Sequence, residues 1–381
     1  MPSYSGVWTL QAQMQAEAAG NWPKPPVLSE LLSWGLNTNG MLGLNDTANR
    51  SSPVQVGVLT DWSKVSSFNN HCQAIKTDGT LWSWGSNYAG QLGINNTVSL
   101  SSPVQVGALT GWSQVACGNS QTSSVKTDGT LWSWGTNSSG ELGQNNVINR
   151  SSPVQVGALT NWNETSMGSS FTVARKTDGT LWSWGQNGSG QLGINIGNYN
   201  RSSPVQVGAL TNWLKISAGT AHCLVIKVDG SLWAWGSNSS GQLGLNDTAD
   251  RSSPVQVGSL TDWLQVSGGN THSLAVKTNG TLWAWGNGNQ GMLGLNNTIY
   301  RSSPVQVGAL TNWSNASAGN SNSAAIKADG TLWTWGENGS GQLGQNNLTY
   351  RSSPVQVGAL TAWRLLGRRP SAKLILALKT P

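Results

Sequence analysis

Three observations predict an all-β fold, a seven-bladed propeller. The pair Trp-Gly returns at Trp34, Trp84, Trp134, Trp184, Trp235, Trp285 and Trp335, at intervals of 50 or 51 residues. SSPVQVG also occurs seven times, and so does LTxW, which ends at Trp62, Trp112, Trp162, Trp213, Trp263, Trp313 and Trp363. The two ends of the chain carry complementary halves of one further copy. Repeats of this length are supersecondary units that bury their faces only against one another. Length alone would suggest two or three domains in 381 residues, but the period overrides that prior. The division is a leader, residues 1–30, and one propeller, residues 31–381.

In the leader, Val7, Leu10, Met14 and Ala18 fall at helical spacing before Gly20 and Pro23, which predicts a short amphipathic helix. Such a helix is marginal alone and needs a surface to lie on. Val7, Trp8, Leu10, Met14 and Trp22 are therefore candidate docking residues. Two roles are open, a plug on its own propeller and a peg into an assembly.

Within each repeat, an Asp-Gly such as Asp78-Gly79 divides two runs of strand-forming residues, and it predicts a two-residue hairpin turn with positive φ. A third strand is expected around SPVQVG, where Pro53 and its equivalents fit a strand start or an edge. The fourth comes after LTxW. Side chains alternate along a strand, so Trp82 and Trp84 share one face while Leu81 and Ser83 share the other. The thick face of one sheet can fill the thin face of the next, and repetition with rotation closes a ring. KLILALKT at residues 373–380 matches the strand that elsewhere precedes the turn, and ELLSWG at 30–35 matches the strand that elsewhere comes after it, so the ends complete one blade. The repeat accounts for 20 of the 22 tryptophans, all but Trp8 and Trp22, and both members of each doublet are expected in the core.

Only 9% of residues are charged, against 48 glycines, which disfavours a helical bundle. The net charge of +6 is no nucleic-acid surface, because Arg364, Arg368, Arg369, Lys373 and Lys379 gather at the C-terminal end while the repeats are nearly balanced. Cys72, Cys117 and Cys223 are odd in number and lack CxxC spacing, so neither a disulfide framework nor a metal site is expected. No apolar run is long enough to span a membrane, and no secretory signal opens the chain.

LWSWGSNYAGQLG, with the GxxH positions at Gly219 to His222 and Gly269 to His272, resembles the regulator of chromosome condensation repeat family over residues 31–380. The resemblance implies a seven-bladed propeller. It also implies a range of functions, since members include an exchange factor for the small GTPase Ran, a secreted β-lactamase inhibitor and many adaptors. No blade carries an inserted loop of the kind the exchange factor uses, and the only change of length is one residue in INIGNYNR, so no exchange-factor residue is carried over. The leader is similar to short leaders on tailed-bacteriophage virion proteins.

Catalytic chemistry finds no foothold. His71, His222 and His272 fall at one repeat position, filled elsewhere by Gln121, Phe171, Asn322 and Ala372, which suits a structural hydrogen bond better than a ligand set. GNGNQG at residues 286–291 belongs to a repeated loop with no helix after it, so it is a chance match to a dinucleotide motif. No catalytic motif, cofactor or metal is called for. The ligand-face candidates are Arg50, Arg150, Arg201, Arg251, Arg301 and Arg351 before each SSP, with Leu100 the exception, and Tyr199, Tyr300 and Tyr350 beside three of them. If these share one rim they can meet an anionic or sugar-bearing surface; the alternative is that each arginine caps local carbonyls. The expectation is a non-enzymatic interaction or adhesion propeller, a virion component that docks through its leader and meets a host glycan or surface protein through its loops. The alternative is a soluble protein-binding adaptor or inhibitor, with a guanine nucleotide exchange factor for a small GTPase behind both.

Overall fold

The computed structural model describes residues 28–367 and 373–381. These residues form seven four-stranded antiparallel sheets. Six sheets use consecutive strands, as in Trp62–Phe68, His71–Lys76, Leu81–Gly85 and Leu100–Gln105. The seventh joins the two chain ends, in the order Arg50–Gln55, Glu30–Gly35, Leu374–Lys379, Trp363–Leu366. There Glu30 pairs with Lys379 and Gly35 with Leu374, and a Glu30–Lys379 ion pair at 2.8 Å marks the register. The predicted closure is present. The expected leader helix and its docking residues, Val7, Trp8, Leu10, Met14 and Trp22, lie outside the described residues.

Strands that begin at the LTxW tryptophans adjoin one another from blade to blade and surround the centre, while the SSPVQ strands form the outer edges. Proline falls on these outermost strands, where a missing N–H costs no ladder bond. The inner strands are cross-linked by hydroxyls. Ser66, Ser166, Ser217 and Ser267 each accept a hydrogen bond, at 3.0 or 3.1 Å, from a backbone N–H of the next blade, at Cys117, Ala218, Gly268 and Ala318.

The turns differ from expectation in length. Gly79 N–H donates to Lys76 O and Lys76 N–H to Thr80 O, so the loop holds three residues, Thr77, Asp78 and Gly79, and only the glycine has positive φ, at 78°. The cause is the side chain of Asp78. Its Oδ1 accepts from the N–H of Thr80 at 2.8 Å and from the hydroxyl at 2.7 Å, which favours a type I turn followed by a glycine bulge. The Thr80 hydroxyl in turn accepts the indole N–H of Trp82 at 2.9 Å, so the turn and the first tryptophan of the doublet are braced together.

The second tryptophan of each of the six doublets, with Trp34 at the same position in ELLSWG, joins the blades. All seven are fully buried. Each indole N–H donates to a backbone carbonyl of the preceding blade at 2.9–3.0 Å: Trp84 to Met41, Trp134 to Gln91, Trp184 to Glu141, Trp235 to Gln191, Trp285 to Gln242, Trp335 to Met292, and Trp34 to Gln342, which shuts the circle. The preceding blade passes so close that a Cβ on Gly93 would stand 2.6 Å from Trp134 Nε1. Its φ of +75° is equally unsuited to other residues, so the last glycine of the WGxNxxGxLG loop is fixed by both space and conformation. Leu131 and Val125 of one blade pack with Trp162 and Trp184 of the next, which is the thick-on-thin contact the sequence predicts.

Trp184→Phe keeps the packing and removes the bond to Glu141; it should lower stability by about 1 kcal/mol, with Trp184→Ala costing about 3–5 kcal/mol, read from denaturant midpoints. Equal midpoints for wild type and Trp184→Ala would contradict this packing.

Candidate functional site

Strand register decides which groups share a surface. Gly85 lies opposite His71 on one side and Leu100 on the other; Gly236 lies likewise between His222 and Arg251, and Gly336 between Asn322 and Arg351. All six arginines therefore stand at the same end of their blades as the histidine position and the loops of the WGxN segments. The expected common rim exists. The Asp-Gly turns occupy the opposite end.

Rim loops are stiff at their base and free at their tips. The Asn87 amide accepts from Leu92 N–H at 2.9 Å and donates to the carbonyls of Asn96 and Val98, stitching the loop shut from within. Tyr199, Tyr300, Tyr350, Val147, Ile148, Ile299 and Leu348 are exposed at these tips. Tyr88, outside the expected set of tyrosines, is exposed there too and its hydroxyl meets Ser120 of the next blade. The chain does carry a signal for it, since Tyr88 stands in the WGxNxxGxLG loop of its repeat, on the same rim as the other tyrosines.

The arginines divide into kinds. Arg50 is paired with Asp46 and also donates to the carbonyls of Ala48 and Asn49; Arg251 repeats this with Asp247, Ala249 and Asp250. Here the capping reading holds. Arg150 instead donates to the Gln144 side chain at 3.2 Å, and Arg351 Nε is buried with no acceptor. Among the described residues no carboxylate forms an ion pair with Arg150, Arg201, Arg301 or Arg351.

Three of these arginines open onto grooves between blades. Arg150, Trp162, Trp182 and Pro204 line one of about 510 Å³; Arg301, Trp313, Trp333 and Pro354 line another of about 470 Å³; Arg251, Trp263, Trp283 and Pro304 line a third of about 440 Å³. The first tryptophan of each doublet is thus only partly buried, a correction to the expectation that both are core. It packs edge-on against the LTxW ring, with centroids 6.3 Å apart for Trp162 and Trp182, and Lys176 Nζ stands 4.0 Å from the Trp182 centroid. Burial against the rings lowers the pKa of Lys176 below the usual ammonium value. Alternation gives the side of the sheet, but a groove depends on how neighbouring outer edges splay, which no single repeat encodes.

Reactive side chains are committed to structure. His71, His222 and His272 bond through Nε2 to Thr122, Ser273 and Ser323 of the next blade at 2.9–3.1 Å. Those hydroxyls donate their own protons to the carbonyls of Gln91, Gln242 and Met292, so the histidine nitrogen is the donor. Burial pushes the His71 pKa down to about 3. Cys72, Cys117 and Cys223 are buried and form no disulfide, and burial pushes the Cys117 thiol up to about 12, far from a nucleophilic thiolate. Among the described residues no group of three or more His, Cys, Asp or Glu side chains could hold a metal ion. A central cavity of about 210 Å³ is lined by inner-strand residues including Glu164, Lys215, Gln265 and Ser317. Glu164 is paired there with Arg175 at 3.7 Å.

Known proteins share this outline. The RCC1-like domain model matches residues 30–369. Crystal structures of similar shape include human WBSCR16, with a TM-score of 0.81, 20% identity, and coverage of 92% of this chain and 99% of that one. Yeast RCC1 (Prp20), solved bound to Kap60, gives a TM-score of 0.83 at 19% identity over 93% of this chain and 89% of that one. The ultraviolet-B receptor UVR8 of Arabidopsis thaliana is 47% identical over 36 residues, only 9% of this chain and 8% of the receptor.

Glu141 replaces the glutamine of four other copies; its Oε2 accepts from Ser139 N–H at 2.7 Å, Oε1 has no partner, and burial raises its pKa from 4.5 to about 7. A raised carboxyl pKa weakens the fold as pH climbs through the interval. Glu141→Gln should therefore be neutral below pH 4.5 and increasingly stabilising up to pH 7, by about 3 kcal/mol, in unfolding midpoints measured across pH. Parallel pH profiles would refute the assignment.

Proposed function

This chain belongs to the RCC1-like domain family, and on that premise we propose that it is a non-enzymatic interaction propeller that holds a macromolecular partner on its loop-bearing rim. The observation that carries this is the separation of roles at the rim end of the blades, between buried side chains that join one blade to the next and loop tips that stay exposed. The three histidines and three cysteines are spent on contacts between blades, as His222 is on Ser273. Residues that differ between copies, such as Tyr199, Ile299, Tyr300, Leu348 and Tyr350, are exposed on the rim.

Neighbours of the same shape support a protein-binding role in general terms. Yeast RCC1 is seen bound to Kap60, and the binding of Prp20p to Gsp1p and histones accompanies its structure. Identities of 19% carry the fold and no contact residue to this chain. Rigid blades with braced loop bases suit recognition, because little conformational entropy is lost when the loop tips meet a surface. The finer reading is of a virion component displaying this rim to a host surface and held by residues 1–30. It rests on the leader resemblance, and a free adaptor or inhibitor is its rival.

Two experiments separate these readings. Removal of residues 1–26 should leave the unfolding midpoint of the propeller unchanged and abolish incorporation into an assembly, whereas a free adaptor keeps its partner. Cross-linking in the native source should place partner contacts on the rim loops, and the triple variant Tyr199→Ala, Tyr300→Ala, Tyr350→Ala should reduce them at least tenfold. Contacts confined to the Asp-Gly end would contradict the proposal.

A further inference from the structure

We propose that the grooves between blades bind acidic pyranosides, sugars whose ring bears a carboxylate, with the guanidinium at one end and the tryptophan pair at the other. The inference rests on the reading of the chain as an interaction propeller and deepens it by naming a ligand class and a place for it. Each groove offers what such a sugar needs. Trp182 and Trp333 present partly exposed indoles on which the C–H face of a pyranose can stack. Trp162 and Trp313 line the same grooves, are at least nine-tenths buried, and have indole N–H groups that are themselves buried and find no acceptor among the described residues, each a donor that a sugar oxygen would satisfy. Arg150 and Arg301 supply a planar fork matched to a carboxylate, and no Asp or Glu lines either groove. At about 510 and 470 Å³ the grooves fall within the usual size of small-ligand sites.

The repeats contain their own controls. Where the loop carries aspartate, at Asp46 and Asp247, its carboxylate already lies on the guanidinium of Arg50 or Arg251, which shows that this position accepts a carboxylate. Where the loop carries asparagine, at Asn146 and Asn297, the guanidinium of Arg150 or Arg301 has no carboxylate beside it among the described residues. The copy with Leu100 in place of arginine is also the copy whose LTxW indole is satisfied internally, Trp112 donating to Leu109 O at 3.1 Å. Loss of the anion partner and loss of the unsatisfied indole donor coincide in one groove. A purely structural role for either group does not require that coincidence.

The test uses methyl β-D-glucuronide, with methyl β-D-glucoside, acetate and polyglutamate as controls, and monitors indole N–H signals of the full chain by nitrogen-15 NMR. The glucuronide should shift the Trp162 and Trp313 signals saturably and leave Trp112 unmoved, with the glucoside at least tenfold weaker and acetate silent. Asn146→Asp with Asn297→Asp copies the self-paired repeats, and Arg150→Leu with Arg301→Leu copies the Leu100 repeat. Each pair reproduces side chains this fold already accommodates, and each should weaken binding at least tenfold at an unchanged unfolding midpoint. Equal shifts at Trp112, binding indifferent to both double variants, or polyglutamate binding as tightly would overturn the proposal. If the glucuronide shifts nothing while cross-linked partners stay on the rim, the groove assignment falls and the interaction propeller stands.

Discussion

The fold depends on a single backbone carbonyl in each blade, the one that receives the tryptophan of the next. In most blades that carbonyl takes two or more donors. Gln91 O accepts the Trp134 indole and the Thr122 hydroxyl; Gln242 O accepts Trp285 and Ser273; Met292 O accepts Trp335 and Ser323. Met41 O and Gln191 O accept a cysteine Sγ as the second donor, from Cys72 and Cys223. The same node therefore explains the conspicuous tryptophans, the small polar residue of the second strand, and two of three cysteines. An indole needs its N–H satisfied when buried, and the carbonyl that satisfies it belongs to the neighbour, so no blade is complete by itself. Stability in such an array is a sum of weak units and strong interfaces, and the closing contact of Trp34 with Gln342 couples the first unit to the last.

That arrangement leaves a particular set of residues free to vary. The Asp-Gly end is built alike from copy to copy, with the carboxyl of Asp128, for example, held below its usual range by hydrogen bonds from the hydroxyl and N–H of Thr130. The rim and the outer grooves differ between copies instead. Arginine there is self-paired in two repeats, unpaired with a carboxylate in others, and absent in one. Variation on a constant frame is what a binding surface assembled from duplicated units requires, and the frame supplies rigidity at no cost to the loops.

Much of this is legible in the chain itself. The period states the number of blades, the half-repeats at each end state the closure, and alternation states the face on which Trp82 and Trp84 lie. The histidine position is a structural one, as Phe171 in the same place implies, and the register puts Leu374 rather than Ala372 there in the seventh blade, since Gly35 lies opposite Leu374 as Gly85 lies opposite His71. The turn is less transparent, because Asp-Gly suits positive φ at both residues, while the side chain of Asp78 bonds to Thr80 and leaves the positive φ to Gly79 alone. The doublet is less transparent too, because alternation places Trp182 and Trp184 on one face but not at one depth. The WGxNxxGxLG loop of the preceding blade covers Trp184 at Gly143, whereas Trp182, two residues nearer the Asp-Gly turn on the same strand, faces the groove lined by Arg150 and Pro204. Serine cross-links between inner strands leave no pattern stronger than the general abundance of serine, and the unpartnered indole of Trp162 is a property of distance to a neighbour rather than of residue type.

Seven indoles, including that of Trp34, are locked into carbonyls of adjoining blades. Hydrogen exchange of the tryptophan side-chain N–H groups, resolved by NMR, measures this locking directly. Trp34, Trp84, Trp134, Trp184, Trp235, Trp285 and Trp335 should all exchange slowly and with similar protection. Rapid exchange at Trp34 with the other six protected would mean that the circle is open, and rapid exchange at all seven would mean that the blades are held by something else.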